Sequence, residues 1–138
     1  MEDQQQKLNQ QLYAFRYLKE QREFLSGQIE ILNTSYSNLI NTKSTLENLK
    51  NVKEGEEILV PVGGILNLKA TIKDPDKSLF FISQDVVVEK TIDESIETVE
   101  KLMEQHKEQM QKLSQTLQQI EMNLQAASQE LQRNMPQQ

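Results

Sequence analysis

The side chains that most often carry chemistry are scarce in this chain of 138 residues, and those present stand alone. His106 is the single histidine, and there is no cysteine. A thiolate nucleophile, a disulfide and a cysteine-bearing metal site therefore have no residues to build them. Glu104 and Glu108 flank His106, but residues two apart on a helix project from different faces. Neither is placed to orient the ring for general-base work or to complete a metal site. His106 reads as a seam histidine bonded to Tyr36 or to solvent. Asn33-Thr34-Ser35 matches a glycosylation acceptor, yet it falls inside a helical pattern and carries no weight here. No glycine-rich phosphate loop, dinucleotide fingerprint or nucleophile constellation occurs. The sequence offers no catalytic residue, no cofactor and no metal ligand set, so an enzyme is not expected.

What the chain has instead is periodicity. Leu18, Leu25, Leu32, Leu39 and Leu46 recur every seventh residue, as at position d of a coiled coil. Position a then holds Leu8, Phe15, Arg22, Ile29, Tyr36, Lys43 and Lys50, an imperfect seam because three members are charged. Gly27 falls on the outward f position. This pattern predicts a first helix over about residues 3–53, stopped by Lys50, Lys53 and Gly55. A second helix is predicted over about 92–134. Thr91 and Glu94 form a capping box at its start, and Asp93 and Glu97 add acidic charge near the positive end of its dipole. Its a positions are Ile96, Met103, Met110, Leu117, Leu124 and Leu131; its d positions are Ile92, Val99, His106, Leu113, Ile120 and Ala127.

Between the helices, about residues 56–90, the period changes. The runs 58–62 and 65–72 flank Gly63-Gly64 and predict a β-hairpin. The runs 79–82 and 86–88, separated by Ser83-Gln84-Asp85, predict a second. Pro61 cannot donate to a ladder, which points to an edge or bulged strand. The helices on either side can zip together antiparallel: Leu46 faces Ile96, Leu39 Met103, Leu32 Met110, Leu25 Leu117 and Leu18 Leu124. Two hairpins alone are marginal in water. Val86, Val87 and Val88 in succession, beside Phe80 and Phe81, place apolar side chains on both sheet faces, so the strand segment reads as an assembly module covered by other subunits.

Composition agrees with a protein that buries a narrow seam. Hydrophobic residues make up 36% and aromatics 5%, too little for a large globular core. The formal charge of -6 and the mixing of Lys and Arg with Asp and Glu argue against a nucleic-acid partner. No apolar run reaches the roughly 18 residues of a membrane span, and Met1-Glu2-Asp3-Gln4 is the opposite of a signal peptide. The expectation is one domain in the cytoplasm, with no membrane contact.

The order helix, Ile58-Leu59-Val60-Pro61-Val62-Gly63-Gly64, strands, Val87-Val88-Glu89-Lys90-Thr91 and second helix resembles the prefoldin α-type subunit, with an archaeal character. The resemblance spans essentially the whole chain. It implies a mostly α fold with a small β part: a long antiparallel two-helix coiled-coil hairpin connected by two β-hairpins that form an oligomeric β-barrel platform. It also implies a heterohexamer of two α-type and four β-type subunits. Such a complex holds unfolded polypeptides without ATP and passes them to a group II chaperonin.

On that resemblance the distal ends of the two helices would contact unfolded chains through Leu8, Leu12, Tyr13, Phe15, Met122, Leu124, Leu131 and Met135. The pairing of Leu8 with Asn134 and of Gln11 with Leu131 suggests a frayed tip, and the methionines suit adaptable contacts. Subunit assembly would use Val60, Val62, Leu66, Leu68, Ile72, Phe80, Ile82, Val86 and Val88. The competing reading is a coiled-coil scaffold or filament subunit that binds no client. A parallel leucine-zipper dimer through Leu18–Leu46 is disfavoured, since it leaves the second seam without use.

Overall fold

The computed structural model describes residues 1–135. Its elements run α1 (Glu2–Leu49), β1 (Glu57–Val62), β2 (Leu66–Thr71), β3 (Lys77–Ser83), β4 (Val86–Thr91) and α2 (Ile92–Asn134). The fold is two long helices, of 48 and 43 residues, with two small antiparallel hairpins between them. Each hairpin is its own two-stranded sheet, and no closed barrel forms within the chain. The chain divides into two compact units. One is all-helical, Met1–Tyr36 with the stretch from Gln105 onward; the other, Ser37–Glu104, carries the strands.

In the strand-bearing unit the core is the predicted seam. Leu46, Ile92 and Val99 are buried, with Val99 at 1% exposure, and Leu39, Leu49, Ile96 and Met103 pack against them. The helices run antiparallel there, because Lys43 reaches Glu100 at 3.3 Å and Lys50 reaches Asp93 at 2.9 Å. These pairs sit one position from the predicted register. They also account for two of the three charged residues at position a: long stems reach past the seam and place their ammonium groups on acids of α2. The hydrogen bond and charge of Asp93 raise the Lys50 pKa above its ordinary 10.5.

Helix α1 ends at Leu49, short of the predicted Lys53. Successive bonds from Lys50, Asn51 and Val52 amides to the carbonyls three residues back tighten the chain out of the helix. Gly55 follows at φ 88°, a left-handed conformation that favours glycine. Helix α2 begins as predicted. The Glu94 amide donates to Thr91 Oγ1 at 3.1 Å, and the Thr91 amide donates to Glu94 Oε2 at 3.2 Å.

The first hairpin pairs Glu57 with Thr71 through Val62 with Leu66. Its loop is therefore Gly63-Gly64-Ile65, one residue longer than the two-glycine connection predicted, and Gly63 supplies the positive φ of 68°. Pro61 stands opposite Asn67 without a bulge; a two-stranded sheet gives each strand an open edge on which the missing donor costs nothing. The second hairpin pairs Lys77 with Thr91 through Ser83 with Val86, and its register slips between Phe81 and Ser83, which leaves Ile82 in a bulge.

In the all-helical unit, Leu25, Leu124 and Leu131 are buried along the seam. The helices are antiparallel here as well: Ser35 Oγ lies 2.8 Å from His106 Nε2, and Asn134 Nδ2 donates to Gln11 Oε1 at 3.1 Å. His106 thus meets Ser35 across the seam, a partner that the sequence reading, which named Tyr36 or solvent, did not give.

Candidate functional site

The candidate sites are exposed apolar surfaces, and their geometry follows from strand alternation and helix periodicity. Residues directly opposite in an antiparallel pair share a face. In β1–β2 the pairs Ile58–Ala70, Val60–Leu68 and Val62–Leu66 therefore make one continuous apolar face. Val60, Val62, Leu66 and Leu68 are exposed on it. Ile72 extends it past β2: its amide donates to Glu56 O at 3.0 Å and its carbonyl accepts from the Gly55 amide at 2.9 Å. The opposite face alternates Glu57, Leu59 and Pro61 with Thr71, Lys69 and Asn67, with Lys69 3.9 Å from Glu57.

The second hairpin is arranged differently. Phe80 is part-buried against the Leu46–Ile92–Val99 core, and Val88 pairs with it on the same face. Lys90 lies 5.4 Å from the Phe80 ring centroid and donates to Thr98 Oγ1 at 2.9 Å. Ser78 bonds to Ser95, a fully buried side chain whose hydroxyl also donates to the Thr91 carbonyl at 2.6 Å. Of the assembly residues expected from sequence, Phe80 and Val88 thus turn toward the chain's own helices, while Ile82 and Val86 are exposed. The outward face is carried by Leu79, Phe81 and Val87; the sequence reading counted Phe81 and Val87 among the apolar strand residues but not among the assembly residues, and Phe81 is 81% exposed. Strict alternation through β3 could have separated the two sets, since Leu79 and Phe81 fall opposite Phe80.

In the all-helical unit the tip residues divide. Tyr13, Met122 and Met135 are exposed, Leu8, Leu12 and Phe15 half-buried, and Leu124 and Leu131 buried in the seam. Lys19 covers the Phe15 ring at 5.7 Å from its centroid. The seam stays closed as far as Leu131 and the Gln11–Asn134 bond, so the frayed pairing expected there is replaced by a zipped one. Accessible apolar surface lies on the flanks instead. Tyr17, Phe24 and Ile31, at 55%, 62% and 64% exposure, repeat every seventh residue on α1 outside the a and d positions. The sequence search for one seam passed over them. Among the described residues, no cluster of His, Cys, Asp and Glu could hold a metal ion, and no helix is long and apolar enough to cross a membrane.

A pair of helices zipped on a heptad seam, joined through hairpins with exposed apolar residues, defines a coiled-coil protein with open strand surfaces. The chain belongs to the prefoldin family: the family model described as prefoldin subunit matches residues 18–137. It is 36% identical over 90 residues to prefoldin subunit alpha of Pyrococcus horikoshii, an alignment covering 64% of this chain and 61% of that one. Prefoldin subunit alpha 1 of Thermococcus kodakarensis is 36% identical over 102 residues, covering 73% and 69%. That of Methanocaldococcus jannaschii is 35% identical over 101 residues, covering 73% and 68%. The chain thus spans about three-fifths to two-thirds of these relatives' lengths. In fold it is similar to a chain of the filamentous PFD from Methanocaldococcus jannaschii, with a TM-score of 0.72, 24% identity, and coverage of 83% of this chain and 94% of that one.

Proposed function

We propose that the protein is a subunit of an ATP-independent holdase: it assembles with β-type prefoldin subunits through its hairpins, holds unfolded polypeptides on its all-helical unit, and passes them to a group II chaperonin. The observation that carries the reading is the segregation of exposed apolar surface into two separate sets. The β1–β2 face is continuous and made of β-branched and leucine side chains, which suits permanent burial against another subunit. Tyr13 and Met122 on the helices and Met135 just past the end of α2 are isolated, flexible or amphipathic groups, which suit weak contact with many sequences. Several such weak contacts held in one assembly gain by effective concentration. A cytoplasmic location and a complex of two α-type with four β-type subunits go with this reading.

The test is suppression of aggregation of a chemically denatured protein by the complex assembled with a β-type subunit. Removing residues 1–12 and 127–138 and adding Tyr13→Ser and Met122→Ser leaves the hairpins intact; assembly should persist while suppression is lost. Full suppression by the truncated complex would sink client binding at this end. A second reading, a filament subunit without clients, has the likeness to the filamentous prefoldin chain in its favour. Electron microscopy of the purified protein distinguishes it by showing open-ended polymers together with no effect on aggregation.

A further inference from the structure

Helix α1 carries a second seam. Starting from Ala14, the positions Tyr17, Gln21, Phe24, Gln28 and Ile31 follow at alternating steps of three and four, the spacing that keeps side chains on one face of a supercoiled helix. The row lies off the a and d stripe that α2 covers, and its three large apolar members are all exposed. It contains no charge from Ala14 to Ile31, in a chain of which 26% is charged. Beside it stands Gly27, in the middle of a helix, where glycine costs roughly 1 kcal/mol relative to alanine. A Cβ at Gly27 would meet nothing within 4 Å, so packing within the chain does not require the glycine. A closely approaching helix would.

We infer that this second seam docks in parallel and in register against the same seam of a second copy of the chain. Spacing, layering and charge select that occupant. A seven-residue repeat on a helix advances about 10.5 Å, whereas same-face residues of an extended chain recur about every 6.6 Å; only another helix keeps step with Tyr17, Phe24 and Ile31. The layers then select the orientation. In a parallel, in-register pair, Tyr17, Phe24 and Ile31 meet their own counterparts, and Gln21 and Gln28 meet glutamines that can pair amide to amide. An antiparallel pair sets each amide against an aromatic or aliphatic layer, where its hydrogen bonds go unmade. Finally, the absence of charge in the row means that bringing two identical chains together opposes no like charges within the contact itself.

The area sets when the contact forms. With an aromatic side chain contributing about 150–250 Å² when fully buried, the exposed parts of these residues supply roughly 400 Å² per copy, about half of what a stable interface buries on each partner. The seam therefore closes between copies already held in one assembly, where effective concentration makes up the shortfall. In this respect the inference rests on the assembly reading above.

The chain has no cysteine, so single substitutions report the contact directly. Tyr17→Cys, Phe24→Cys and Ile31→Cys are introduced one at a time into the full chain, assembled and oxidised mildly, and disulfide-linked dimer is weighed by mass spectrometry. Ser26→Cys, exposed on the far side of α1, is the control. The expected result is a several-fold higher dimer yield at 17, 24 and 31 than at 26, lost at 17 when Phe24→Glu is added. Yields at all three no higher than the control overturn the inference, as does linkage of Tyr17→Cys chains to Ile31→Cys chains in place of like-to-like linkage. Loss of aggregation suppression by Phe24→Glu without specific crosslinking would also overturn it and assign the seam to unfolded chains. Native mass spectrometry of the same samples reports separately whether the assembly itself exists.

Discussion

The two hairpins have nearly the same length and strand content, yet one packs against its own chain's helical core and the other leaves its apolar face exposed. β3–β4 lays Phe80 against the helical core and ties Ser78 to the buried Ser95, and its last strand runs directly into α2. β1–β2 has no comparable anchor, and all of its large apolar residues apart from Ile58 are exposed. The difference comes from connectivity. Thr91 ends β4 and caps α2, so the second hairpin inherits the helix position, whereas a non-helical stretch from Lys50 to Glu56 separates the first from α1. The lesson is that similar strands take different roles according to how rigidly they are joined to the element that carries the core.

The largest expected effect breaks the hairpin that lacks an anchor. Val60→Asp places a carboxylate in the middle of the apolar face opposite Leu68. Burying an unpaired charge in an interface costs several kcal/mol, enough to abolish assembly, while the single chain loses little because Val60 is partly exposed and lies outside the helical core. Native mass spectrometry should show loss of the complex, and circular dichroism should show unchanged helix content. An intact complex would mean that this face is not the assembly surface. Phe80→Ala makes the opposite prediction for the anchored hairpin. Truncating a partly buried phenylalanine should lower the unfolding free energy by about 2 kcal/mol, read as a shift in urea midpoint in the Val60→Asp background, where assembly does not contribute. If Phe80→Ala leaves that midpoint unmoved, the second hairpin is held no better than the first.

Much of this was legible in the sequence. The a and d positions assigned from leucine spacing are the half-buried and buried residues of both helices almost throughout, because a heptad repeat states its own geometry. Lys50 is the exception: it is exposed, and Leu49 takes the half-buried place as α1 unwinds. The capping box at Thr91 and Glu94 was equally plain, since it depends on residues three apart. What the sequence left open were relations across distance. Alternation divides Phe80 from Phe81, but only the direction in which β4 enters α2 decides which of them meets the core. His106 pairs with Ser35 because of an offset of one residue in the register, below what heptad matching resolves. The second seam at Tyr17, Phe24 and Ile31 was visible all along, yet one stripe of leucines is enough to explain a helix, and a search that stops there sees no second.

The smallest effect concerns the segment that both hairpins share. Lys50 precedes β1 and Asp93 follows β4, so their ion pair closes the stretch of chain containing all four strands. Both groups face solvent, so the attraction is screened and its contribution is minor. The sign is nevertheless definite. The Lys50 pKa is raised in the folded state by Asp93, so the folded chain holds that proton more tightly than the unfolded one. The stabilisation is therefore fully present below the ordinary lysine pKa of 10.5 and disappears as pH rises through the raised value. Comparing thermal midpoints of the wild type and Lys50→Met should give a small gap at neutral pH that narrows with added salt and closes in strong alkali. A gap that survives both treatments would come from packing of the Lys50 stem and not from its charge; the closure between the hairpins would then be apolar, like the seam beneath it.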